Sequence, residues 1–128
     1  MSVFVVCLGL LGLLYIALVL NVSRYRISRK VSLGDGGDPD LTKAIRAHAN
    51  LIETAPITLI LIFVASFMYG FRTVAFLSVA LLVSRVIHAG GMLGYVPQGR
   101  RMGTILGLVT VLIASLLVAA AGLGVKPY

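Results

Sequence analysis

Arg46-Ala47-His48-Ala49-Asn50-Leu51-Ile52-Glu53 runs directly into eighteen residues without charge, Thr54 to Phe71. That junction decides how the chain is read. An apolar run of this length is about what a bilayer-spanning helix needs, and the segment before it is polar with helical spacing. Arg46, Asn50 and Glu53 fall at i, i+4 and i+7 and therefore share one helix face. Polar groups at membrane depth are costly and persist where they bind something polar. The stretch thus predicts a polar mouth on an apolar wall, suited to a ligand with a charged head and an apolar tail.

The rest of the chain agrees. Of 128 residues, 59% are hydrophobic and 12% charged, and only four are acidic, for a net charge of +7. Soluble domains carry about twice that share of charge. Further uncharged runs cover 1–23, 73–84, 86–99 and 102–125. They predict four transmembrane helices near 3–22, 38–70, 73–95 and 102–124, the second entering the membrane around Arg46. No period-2 alternation suggests strands. The expected fold is an all-α four-helix membrane bundle in one domain, with no soluble module.

The first segment lacks a basic n-region and a small-residue cleavage site, so it reads as a retained helix. Cys7 lies within it, and a buried apolar thiol is usually inert. Arg24, Arg26, Arg29, Lys30, Lys43 and Arg46 surround the first loop, and Arg100 and Arg101 the third, against Arg72 and Lys126 on the other side. By the positive-inside rule, loops 23–45 and 96–101 are expected in the cytoplasm. These charges flank spans, so the basic balance implies lipid headgroups and calls for no nucleic acid. In the first loop, Asp38-Pro39 fits a helix N-cap with Pro at the first helical position. The glycines of 34–37 are not a phosphate loop, because no G-K-[ST] follows. Pro56 is expected to kink the second helix.

A second polar group, Ser84, Arg85 and His88, sits in the third span, with Arg85 and His88 on one face. Arg46 and Glu53 stand too far apart for a simple in-helix pair, so each is expected to meet a ligand, water or another helix. An Arg85–Glu53 ion pair between helices is a structural alternative. A lone His88 without Cys nearby does not suggest a metal. Four helices are few for enclosing a polar site, which favours a cleft between subunits of a homo-oligomer.

At these residues the chain resembles the membrane-associated proteins in eicosanoid and glutathione metabolism (MAPEG), and among them a bacterial member of the microsomal glutathione transferase type 1 kind. Arg46-Ala47-His48-x-Asn50-x-x-Glu53-x-x-Pro56 is similar to the family's most distinctive motif. Arg85-x-x-His88, Pro97-Gln98-x-x-Arg101 and Arg26-x-x-x-Lys30-Val31 resemble further parts in the same order. The resemblance implies a homotrimer in the bacterial inner membrane that binds glutathione as co-substrate near the cytoplasmic face. Lipophilic electrophiles or lipid hydroperoxides would arrive from the bilayer. It implies that Arg26, Arg46, His48, Asn50, Glu53, Arg85 and His88 form the glutathione site, and that Arg101 stabilises the thiolate. Thr54 and Met92 depart from the family, where tyrosines are common.

The chemistry suits the residues. A free thiol has a pKa of about 8.5, and lowering it by about two units needs roughly 2.7 kcal/mol of preference for the thiolate. Arginines in a partly dehydrated cleft supply that kind of preference. A non-catalytic lipid-presenting member of the same family is the alternative. A small four-helix drug transporter fits less well, because its class usually needs a carboxylate in the first helix, and none is there.

Overall fold

The computed structural model describes residues 1–125, so Lys126 lies outside the described residues. Four helices follow one another: α1 (Ser2–Arg29), α2 (Pro39–Ala65), α3 (Phe71–Met92) and α4 (Gly99–Gly122). Each is long and apolar enough to cross a membrane, and no strand occurs among the described residues. The bundle is layered around its middle pair. α2 and α3 pack on each other, α1 lies against both from one side, and α4 lies against both from the other.

Sequence explains where the helices stop. Asp38 caps α2 by accepting from the Asp40 N–H at 3.0 Å, with Pro39 next in line. The missing N–H of a proline costs nothing in a first turn. Arg29 holds the same cap, with Nε 3.0 Å from Asp38 Oδ2, so the loop is folded back onto the end of α1. α1 continues to Arg29, seven residues past its expected end at 22, and its last turn stands among these polar contacts. α2 ends at Ala65 rather than 70, where Ser66–Tyr69 turn toward the Gly70 N-cap of α3. α2 runs as one helix through Pro56.

The core carries small residues where backbones meet. Phe4, Leu11 and Leu18 of α1 lie against Leu51, Ala55 and Ile62 of α2 and Leu77 and Leu81 of α3. α3 and α4 approach most closely. A Cβ on Gly103 would stand 2.6 Å from both the His88 Cβ and the Ser84 carbonyl oxygen. Only glycine permits that approach, which is the membrane packing rule of small residues at helix contacts.

Candidate functional site

The Arg46–Asn50–Glu53 face of α2 looks toward the ends of α3 and α4. There it borders a polar cleft of about 350 Å³ lined by Thr42, Lys43, Arg46 and Asn50 from α2, His88 and Met92 from α3, and Arg100 and Thr104 from α4. The cleft is strongly basic. His88 is buried in its wall, while Lys43, Arg46 and Arg100 keep exposed side chains.

Beneath it sits Arg85, only 3% exposed. Its Nη1 donates to Asn50 Oδ1 and to Thr54 Oγ1, each at 2.6 Å, its Nη2 to the Gly103 carbonyl at 3.0 Å, and its Nε to Ser84 Oγ at 3.1 Å. One guanidinium therefore ties together α2, α3 and α4. All four acceptors are neutral, so the expected alternative of an Arg85–Glu53 pair does not form. Charge is compensated by dipoles packed around a planar donor fork, which arginine suits better than lysine.

Glu53 instead meets Arg46, at 3.6 Å between Oε2 and Nη2. This corrects the expectation that the two stand too far apart. Seven residues make two turns and only about 10.5 Å of rise, and two long side chains on one face lean together across that distance. Both are more than half exposed, so the pair contributes little to stability and a ligand with opposite charges can take its place.

Of the expected site residues, Arg85 and Glu53 border the cleft without lining it, and three lie elsewhere in the chain. His48 is two residues from Arg46, about 200° around the helix, and its ring packs 5.3 Å from that of Tyr15 on α1. Its Nε2 is buried without a hydrogen-bond partner. Arg26 donates from Nη1 to the Gly34 carbonyl at 2.8 Å and bounds a shallow hollow with Lys30 and Ser32, apart from the cleft. On α4, Arg100 enters the cleft of its own chain and Arg101 does not. Gly103 faces the core; Arg100 is about 60° from it around the helix, and Arg101 about 160°. Sequence reasoning missed Lys43 and Thr42, although Lys43 stands one turn before Arg46 on the same face. It also missed Thr104, whose hydroxyl caps the Arg100 carbonyl at 2.8 Å.

Comparison with known proteins agrees with this architecture. The MAPEG family profile matches residues 4–120. The chain is 34% identical over 94 residues to "Inner membrane protein YecN" of Escherichia coli strain K12 and of strain O6:H1, covering 72% of this chain and 71% of theirs. A four-helix bundle of membrane spans and a profile match across nearly its whole length lead to one conclusion: the chain is an integral membrane protein of the MAPEG family.

Proposed function

We propose that the protein is a glutathione transferase or peroxidase of the inner membrane, which binds glutathione in the basic cleft at the loop end of α2, α3 and α4. The observation that carries this is the convergence of Lys43, Arg46 and Arg100 on one polar volume, with Glu53 beside it. Glutathione has two carboxylates, an ammonium and a thiol. Three cations and one acid match that pattern, and arginine forks bind carboxylates in two-point fashion.

The chain's residues divide the work. Arg46 releases Glu53 and takes a carboxylate, and Glu53 takes the ammonium. Asn50, held by Arg85, supports that face. Arg100 favours the thiolate over the thiol, so it assumes the part that resemblance assigns to Arg101. His88 borders the same cleft, next to the reacting group. Thiolate sulfur then attacks the carbon of a lipophilic electrophile presented from the bilayer and displaces its leaving group. With a hydroperoxide it attacks the terminal oxygen, breaking the O–O bond to release the alcohol and leave a sulfenic acid. A second glutathione converts that sulfenic acid to the disulfide and water.

His48 packs on Tyr15 of its own α1, and Arg26 and Arg101 face away from the cleft of their own chain. In this reading the two arginines serve a neighbouring copy, which supports a trimer in which each cleft is completed by the next subunit, with the connecting loops cytoplasmic. Stopped-flow ultraviolet detection of thiolate on mixing protein with glutathione tests the proposal. A burst of thiolate is expected, followed by glutathione-dependent turnover of a lipophilic electrophile.

The second reading, a lipid-presenting protein without thiol chemistry, draws on the apolar groove of about 310 Å³ between α1 and α2, bordered by Leu8, Leu11, Tyr15, Leu51 and Leu59. Binding of lipid with no thiolate signal and no turnover would favour it.

A further inference from the structure

A second, smaller cavity of about 160 Å³ lies between α2, α3 and α4, next to the polar cleft. The two share Asn50 and Thr104, so they meet there, and the smaller one extends one to two turns further along the helices. Its apolar walls are Ile57, Leu81, Leu108 and Val111, with Thr58 among them, and Glu53, Thr54, Arg85 and Gly107 also line it. Ile57 and Leu108 are 52% and 62% exposed, so it opens on the outer surface between α2 and α4.

Arg85 has five N–H donors, and four are spent on the acceptors named above. The fifth is on Nη2. A Cβ on Gly107 would collide with that atom, so Nη2 stands at the wall that the cavity shares with Gly107. Glu53 pairs with Arg46 and makes no bond to Arg85. A buried cation held only by neutral acceptors, with one donor unspent beside a mainly apolar hollow, therefore leaves a place for an oxygen acceptor.

We propose that this cavity binds a slender apolar molecule carrying one acceptor oxygen, which takes the remaining N–H of Arg85, and that Gly107 keeps the approach open. Size sets the class. An apolar cavity of about 150 Å³ engineered in another protein accommodates benzene, so this one admits a single ring or a short unbranched chain and rejects fused rings. Calling that molecule the electrophile of the reaction rests on the thiol reading above, because the cavity meets the cleft where the thiol would lie. The binding itself does not rest on it.

The test uses the full chain in detergent without any thiol, and two probes of nearly equal size, acetophenone and the more lipophilic ethylbenzene, with affinities compared at equal concentration in the detergent phase. Titration followed by NMR, with the carbonyl carbon of acetophenone labelled, should show saturable binding and a downfield carbonyl shift. Ethylbenzene should bind at least about tenfold more weakly, and 2-acetonaphthone should show no saturable binding. Gly107→Ala, which crowds Nη2, and Val111→Phe, which fills the hollow, should each weaken acetophenone by about tenfold or more. Equal binding of acetophenone and ethylbenzene overturns the proposal, as does unchanged acetophenone affinity in a folded Val111→Phe or Gly107→Ala protein. Absence of a thiolate burst would defeat the glutathione reading alone and leave these results standing.

Discussion

Arg85 Nη1 donates to Asn50 Oδ1 at 2.6 Å, joining α3 to the face of α2 that carries Arg46 and Glu53. The bond places a buried charge directly under the candidate site and makes Asn50 a strut between the site and the bundle. A residue in the family motif is thereby a structural element as well.

Asn50→Ala removes that acceptor and leaves part of a buried guanidinium without a partner. The expected loss of stability is about 1.5–3 kcal/mol, the range for hydrogen bonds to charged groups. Unfolding in mixed micelles should show it. Thr54→Val, which removes the second acceptor on the same Nη1, should lower stability in the same direction. Asn50→Ala with unchanged stability would mean that Arg85 finds equivalent partners elsewhere.

Arg46 and Glu53 should behave in the opposite way. Their pair is exposed and 3.6 Å long, so Glu53→Gln is expected to change stability by less than about 0.5 kcal/mol. Glutathione affinity measured by calorimetry should fall by about tenfold or more, as charge-assisted contacts to the ligand are lost. A stability loss with no change in affinity would make the pair a structural one.

Adjacent arginines at the start of α4 give a sharp comparison. Arg100→Gln should cut the thiolate signal and turnover by about 10²-fold, as for other donors that stabilise developing charge, with glutathione affinity changing much less. Arg101→Gln should spare the thiolate, because Arg100 of the same chain supplies its partner. A loss confined to Arg101→Gln would show that a neighbouring subunit's α4 supplies the thiolate partner.

The loop before α2 should respond to acid. The Gly37 N–H and the Thr42 hydroxyl donate to the Asp35 carboxylate and hold its pKa below the ordinary value. A carboxyl depressed in the folded state contributes stability above its unfolded pKa of about 3.9 and loses it as pH falls through the lower folded value. Hydrogen exchange at the Thr42 amide, corrected for intrinsic rates, should therefore speed up below about pH 3.9. Asp35→Asn should abolish that pH dependence while leaving amides in the membrane-spanning part of α2 unchanged.

Glycines on α1 and α4 should differ in kind. Gly103→Ala places a methyl against the His88 Cβ and the Ser84 carbonyl, whereas a methyl on Gly9 meets nothing within 4 Å. The first should separate α3 from α4 and cost about 1–3 kcal/mol, as overpacking does. Gly9→Ala should be neutral or slightly stabilising. Equal effects in unfolding measurements would mean that the α3–α4 contact relaxes freely.

Four spans, the Asp38–Pro39 start of α2 and the shared face of Arg46, Asn50 and Glu53 were legible in the sequence. Each depends only on chain-local physics: bilayer thickness, orphan N–H groups at a helix start, and 3.6 residues per turn. The family was legible too, because its motif residues stand in order along one chain. What only the tertiary structure decided are the partners. Helical period says that Arg100 and Arg101 diverge, but the packing of Gly103 on His88 determines which of them faces the cleft. His48 belongs to the motif by spacing and to the α1 contact by geometry. Arg85 could have met Glu53; it meets Asn50 and Thr54 because α4 approaches closely enough for the Gly103 carbonyl to hold the other side of the guanidinium. Side-chain direction relative to other helices depends on how the bundle is assembled, and no spacing within a single helix encodes it.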